Sequence, residues 1–165
     1  MKKLTTIILA AGKGTRMNSS LSKVLHPIAN QPMLSHIIDK SEKLKSNRII
    51  VVVNETFNIP KTKPNSKIIY VVQKQQLGTG DAIKACLKNI DKVNNRVLIL
   101  YADVPLINNL TLRKLIRLRT KNEIKILAFK KVEKNKYGKL IIQNDLIEKI
   151  IEAKEFKNDN QPDDC

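Results

Sequence analysis

An α/β fold, a Rossmann-like and mostly parallel sheet with helices on both faces, is what the sequence predicts, and three observations predict it. Four short runs, Leu4–Ala10, Arg48–Val53, Lys67–Val72 and Arg96–Ala102, are apolar nearly throughout and do not alternate. Strands buried on both faces have that character. Segments of helical period stand between several of them, as crossover connections require. Three of the runs end in informative stretches: the glycine-bearing "AAGKGTRM" and "QKQQLGTG", and "ADVPLI" with its aspartate. Open parallel sheets collect ligands at the carboxyl ends of their strands.

Each element has its own warrant. The first run is rich in Ile and Thr and stops at Gly12, which bounds a buried strand. Pro32 opens a helix whose Leu34, Ile37, Ile38, Ser41 and Leu44 return at three- and four-residue steps. The stretch Asn54–Ser66 contains Pro60 and Pro64 and no helical period, so it reads as an irregular crossover. Asp81–Ile90 reads as a helix after "LGTG", and a basic helix is expected over roughly Leu110–Thr120. Beyond Glu123 the pattern becomes β-rich: "IKILAFKKV", a turn at "NKYGK", then "LII" and "LIEKIIEA". One domain over residues 1–155 and a polar, frayed tail over 156–165 are expected, with no internal repeat.

Composition narrows the function classes. A chain of 165 residues with 42% hydrophobic content fits one globular core. No apolar run is long enough to span a bilayer, and the start "MKKLTTIILAAGKG" lacks the form of a signal peptide. No membrane partner and a cytoplasmic location are therefore expected. Cys86 and Cys165, with His26 and His36, give no metal-ligand spacing. Cys86 falls in a helical pattern and reads as a small buried hydrophobe. The net charge of +16 suggests anionic partners. Its basic residues are scattered, however, and aromatics make up only 4% of the chain. Base-stacking and nucleic-acid motifs are missing, so nucleic acid is the disfavoured partner.

The anion-binding reading rests on the loops. "AGKGTR" is not a Walker A loop, because Gly14 follows Lys13, and Met17 stands where a Rossmann fingerprint has its third glycine. "GTGDA" at Gly78–Ala82 fails the fingerprint as well. Bare amides beside Lys and Arg still suit a polyphosphate, although for either loop alone a tight turn with solvated charges serves equally well. Asp103, one step beyond a buried strand, is placed to hold a hard cation; it also suits a turn before Val104-Pro105.

Taken in order, "ILAAGKGTRM…SKVLHPIANQPML", "VVQKQQLGTGDA", "LYADVPLI", "YGKLI" and "IIEAKE" resemble the sugar nucleotidyltransferase superfamily. Within it they resemble the pyrophosphorylase domain of the bacterial N-acetylglucosamine-1-phosphate uridylyltransferases, over essentially Leu4 to Glu155. The resemblance implies a nucleotide-diphospho-sugar transferase fold, incomplete at the carboxyl terminus. It implies transfer of UMP from UTP to N-acetylglucosamine 1-phosphate, giving UDP-N-acetylglucosamine and pyrophosphate, with Mg²⁺ as cofactor. Leu9, Ala10, Ala11 and Gly12 would then line the nucleotide, and the loop through Gly14, Thr15 and Arg16 would hold the triphosphate. Arg16 would face the departing pyrophosphate and Lys23 the α-phosphate. Gln73, Gly78 and Thr79 would lie at the uracil, Asp103 would bind Mg²⁺, and Gly138 and Glu152 would contact the sugar.

The chain departs from that pattern in several places. By that resemblance, the later "NTG"-type segment, the second metal-ligating Asn and the β-helix domain of the family are expected to be missing. Ala102 replaces a Gly and is expected to crowd a close backbone approach. Asp81 replaces a His, and the proline-bearing crossover replaces a helix. These departures leave open a minimal enzyme, a nucleotide-binding remnant with little turnover, and a split enzyme completed by a separately encoded carboxyl-terminal part.

Overall fold

The structure is a computed structural model that describes residues 3–12, 14, 17–60, 66–75, 77–91, 95–118, 120, 123–130, 138–144 and 146–151. The chain divides into two compact units, Met1–Lys125 and Ile126–Cys165.

The first unit is built on a sheet of four parallel strands: β1 (Lys3–Leu9), β4 (Arg48–Val53), β5 (Ile68–Val72) and β6 (Asn95–Tyr101), in the order β5-β4-β1-β6. Between β1 and β4 lie two short paired segments, β2 (Pro27–Ile28) and β3 (Gln31–Pro32), and helix α1 (Met33–Lys43). Helix α2 (Thr79–Cys86) links β5 to β6, and α3 (Asn109–Leu115) follows β6. The described part of the β4–β5 crossover has no helix, as its prolines require.

Side-chain parity divides the core in two. Leu4, Ile8, Ile49, Val51, Val53, Leu98 and Leu100 pack with Leu34, Ile37 and Leu44 of the α1 region and Leu112 of α3. Ile7, Ile50 and Val52 face the other way, onto Ala82 and Cys86 of α2. Helices therefore cover both faces, and the five successive residues Ile49–Val53 have no exposed surface. That double burial is why β4 contains no polar residue after Arg48. The edge strand β6 departs from this pattern: Val97, Ile99 and Tyr101, on its second face, are 42%, 41% and 53% exposed.

Polar groups fix the sheet at its starting edge. Leu4 N–H donates to Asn47 Oδ1 at 3.0 Å and Asn47 N–H donates to the Leu4 carbonyl at 2.8 Å. The buried hydroxyls of Thr6 and Ser46 meet at 2.8 Å, as polar groups taken from water must. Arg48 donates to the Asn89 carbonyl at 2.7 Å and Arg96 to the Ile116 carbonyl at 3.1 Å. Each guanidinium thus sits on carbonyls at the end of a helical segment, where a cation is favoured.

Two expectations are corrected. The basic helix ends at Leu115, not near Thr120, because the Ile116 carbonyl goes to Arg96 while Leu118 N–H turns back onto Ile116. Residues 124–130, the described part of "IKILAFKKV", form no strand. A β-rich composition suits a strand but cannot supply the neighbouring chain that a ladder needs. In the second unit β7 (Lys139–Gln143) and β8 (Leu146–Ile151) form an antiparallel hairpin with a register shift at Ile141/Ile142. Its turn includes Asn144 at φ 49°; "NKYGK" lies largely outside the described residues.

Cys86 is fully buried, and its thiol donates to the Ala82 carbonyl at 3.4 Å. Burial pushes its pKa up from 9.0 to about 11. We predict that iodoacetamide at pH 8 leaves Cys86 unmodified in the native chain and labels it in denaturant, as peptide mass mapping will read. The unfolded chain releases this proton near pH 9 while the folded chain holds it to about 11. Cys86 therefore makes stability fall with rising pH across that window; rapid native labelling would contradict both statements.

Candidate functional site

The sheet register builds the site. Leu9 lies opposite Val52 on one side and Tyr101 on the other. Ala10 N–H donates to the Val52 carbonyl at 2.8 Å, and Ala102 N–H donates to the Leu9 carbonyl at 3.0 Å. Gln73 N–H donates to Val53 at 2.8 Å. The segments after β1, β5 and β6 consequently leave the sheet along one edge. Connections from β1 run toward β4 and β5, then return across to β6, so the chain reverses direction between β1 and β6. Ligand crevices of open α/β sheets form at such a reversal.

The backbone after β1 is nearly buried at Ala10 and Ala11 and becomes exposed at Gly12. Gly14 adopts φ +60°, and a methyl there would lie 2.9 Å from Lys23 Cβ. Glycine is thus needed twice, for the left-handed backbone and for the close approach to Lys23. Met17 N–H closes the turn onto the Gly14 carbonyl at 2.8 Å. Lys23 opens a 3₁₀ turn, Lys23–Leu25, which the buried Val24 anchors to the core.

Across the crevice Lys23 Nζ meets Asp103 Oδ2 at 2.7 Å, although 80 positions separate them in sequence. Asp103 follows Ala102, which is fully buried among the residues of the first core face. The methyl of Ala102 is therefore enclosed in the core, and the expected crowding of the crevice does not arise.

On the β5 side, Gln73 is only 5% exposed. Its amide nitrogen donates to Asp81 Oδ2 at 2.7 Å and to the Gly78 carbonyl at 3.2 Å. Gly78 caps α2 at φ 111°, and nothing lies within 4 Å of where its Cβ would be. Thr79 and Asp81 stand in the first turn of α2, where a carboxylate complements the exposed N–H groups.

The edge of the sheet thus gathers Leu9, Ala10, Ala11, Gly12, Gly14, Lys23, Gln73, Gly78, Thr79 and Asp103 on adjoining segments. Thr15, Arg16 and Glu152 lie outside the described residues. Gly138 precedes β7 in the hairpin unit and is not part of the sheet. Sequence reasoning noted Asp81 only as a departure. Its bond to Gln73 spans a loop and a helix start, and no spacing rule announces it.

The chain matches the family model for the MobA-like NTP transferase domain over residues 6–160. It belongs to that family. The chain is 38% identical over 159 residues to the bifunctional protein GlmU of Parvibaculum lavamentivorans, which covers 94% of this chain and 35% of that protein. It is equally, 38%, identical over 159 residues to GlmU of Wolbachia pipientis, covering 95% of this chain and 36% of that one. The chain thus spans about a third of the length of these curated relatives, in their amino-terminal part. Among solved structures, a putative glucose-1-phosphate thymidylyltransferase from Bacillus anthracis superposes with a TM-score of 0.65 at 18% identity, covering 91% of this chain and 64% of that one. The likeness shows the fold: a parallel sheet with helices of the nucleotidyltransferase kind.

Lys23 and Asp103 have side chains 36% and 38% exposed, so solvent screens the pair. We predict that a double-mutant cycle with Lys23→Met and Asp103→Asn gives a coupling below about 1 kcal/mol in chemical unfolding. A coupling several times larger would make the pair a structural tie and not a site poised for a ligand.

Proposed function

We propose that the chain is a sugar-phosphate nucleotidyltransferase that takes UTP and N-acetylglucosamine 1-phosphate and yields UDP-N-acetylglucosamine and pyrophosphate. The observation that carries this reading is the meeting of Lys23 and Asp103 at 2.7 Å beside a glycine turn on the carboxyl edge of the sheet. Its support from relatives is the identity to the two GlmU proteins.

In this reaction a phosphate oxygen of the sugar 1-phosphate bonds to the α-phosphorus of the nucleotide. The bond from that phosphorus to the bridging oxygen of the β-phosphate breaks, and its electron pair leaves with pyrophosphate. The attacking oxygen is already anionic, so no general base is needed. What the protein must supply is alignment and positive charge around phosphorus. Lys23 is the residue for that charge, held by Val24 below and by the close approach of Gly14. The backbone from Ala10 to Gly12, with Thr15 and Arg16, is assigned to the triphosphate. Gln73, Gly78 and Thr79 are assigned to the base, and Gly138 and Glu152 to the sugar.

Asp103 fits a divalent cation. It brings a carboxylate to the crevice, and the described residues hold no cluster of three or more His, Cys, Asp or Glu. A cation there would take further ligands from water and substrate phosphate, as Mg²⁺ commonly does. Bound, it would neutralise charge on the phosphates. No helix among the described residues is long and apolar enough to cross a membrane, and we assign the chain to the cytoplasm, where both substrates are soluble anions.

Two predictions follow from this assignment. Purified chain given UTP, N-acetylglucosamine 1-phosphate and Mg²⁺ is expected to release pyrophosphate, and Lys23→Ala and Asp103→Ala each to abolish that release. Unchanged turnover in either variant overturns the assignment of that residue, whereas UTP binding without turnover would identify a nucleotide-binding protein in place of an enzyme. Separately, because Lys23 occupies Asp103 Oδ2, Lys23→Met should bind Mn²⁺ about two- to fivefold more tightly without nucleotide. Titration followed by electron paramagnetic resonance reads this directly, and unaltered or weaker Mn²⁺ binding would contradict it.

A further inference from the structure

We infer that Asp81 is a positioning residue that fixes which face of the Gln73 amide meets a nucleotide base, and thereby selects bases bearing a ring N–H. The inference rests on the nucleotide reading above and deepens it.

The amide orientation follows from chemistry. Gln73 Nε2 lies 2.7 Å from a carboxylate oxygen of Asp81 and 3.2 Å from the carbonyl oxygen of Gly78. Both partners are acceptors without a proton to give. The atom facing them must therefore be the nitrogen, since the amide oxygen would meet two lone-pair-bearing oxygens. Both amide hydrogens are committed there. The remaining polar atom, Oε1, only accepts.

The clamp is also rigid. Gln73 is 5% exposed and its backbone N–H is tied to Val53. Asp81 is fixed in the first turn of α2. Gly78, whose carbonyl is the second acceptor, has nothing among the described residues within 4 Å of where its Cβ would stand, and we take the base to approach the amide from that side. An acceptor-only group beside that space complements a ring N–H. N3 of uracil carries such a hydrogen; N3 of cytosine is a bare acceptor and would set lone pair against lone pair. Without Asp81, one of the two acceptors holding the nitrogen is gone. The amide is then free to turn its N–H outward and accept cytosine.

The test compares UTP and CTP affinities, by calorimetry with Mg²⁺, for the full chain and for Asp81→Ala and Asp81→Asn. The unaltered chain is expected to favour UTP by about tenfold, the scale of one hydrogen bond made against one left unmade. Asp81→Ala should bring that ratio close to one, chiefly by improving CTP. Asp81→Asn, whose carbonyl can still accept from Gln73, should keep most of the preference. If Asp81 merely supports α2, its loss weakens both nucleotides alike and leaves the ratio unchanged, which overturns the proposal. A ligand-free readout separates this from the wider reading: the ¹⁵N–¹H signals of the Gln73 side-chain amide should show slowed exchange in the unaltered chain and lose it in Asp81→Ala. Equal exchange in both also overturns the proposal. Slowed exchange lost in Asp81→Ala, with neither nucleotide bound, overturns the nucleotide reading and the base selection with it, while leaving the clamp itself demonstrated.

Discussion

The site depends on one constraint: β1 is hydrogen-bonded in parallel on both sides, with Leu9 opposite Val52 and Tyr101. A strand inside a sheet must satisfy its N–H and C=O groups on both neighbours. Once the register is set, β4, β1 and β6 end at nearly the same level, and the rungs at Ala10 and Ala102 are among the last. Slipping β1 by one residue would exchange Ile7 and Ile8 between the two core faces, which have different helices over them. Packing thus fixes register, and register fixes where Gly12, Gln73 and Asp103 emerge. Lys23 reaches Asp103 because both are carried to that edge by elements whose positions the core has already determined.

The parts of the structure that were legible in the sequence are those where a single physical demand acts on consecutive residues. Arg48–Val53 was readable to the residue because burial on both faces excludes every polar side chain from it. The α1 pattern was readable because one stripe of a helix must be apolar, and Pro32 marks where it starts. Cys86 was readable as a buried small residue for the same reason.

What escaped the sequence depends on partners distant along the chain. The end of α3 is set by Arg96 taking the Ile116 carbonyl, twenty positions away. Ala102 looked obstructive because the sequence does not say which way its methyl faces; in the structure it faces the core. The stretch 124–130 is β-rich in composition but forms no strand, since pairing is a property of two segments. At the site, the sequence displayed Gly14, Lys23, Gln73, Asp81 and Asp103 as separate residues. It did not display that Gly14 makes room for Lys23, that Lys23 meets Asp103, or that Asp81 holds Gln73.

Those pairings change what the charge of the chain means. A net charge of +16 draws anions of every kind toward the surface, so it cannot by itself choose a nucleotide over any other polyanion. Among the described residues at that edge, Lys23 is matched with a carboxylate, and the Gln73 amide with a carboxylate and a carbonyl. On the proposed reading, an anion that binds Lys23 competes with Asp103, at a cost that the solvent exposure of the pair keeps small. A ligand that brings phosphate for Lys23 and a cation for Asp103 together replaces the internal pair with two new ones and leaves neither charge stranded. An anion bringing phosphate alone would separate the pair and leave the Asp103 carboxylate without its partner. On the proposed function, the pair would give a modest preference, within the ~1 kcal/mol of an exposed ion pair, to polyanions that arrive as metal complexes.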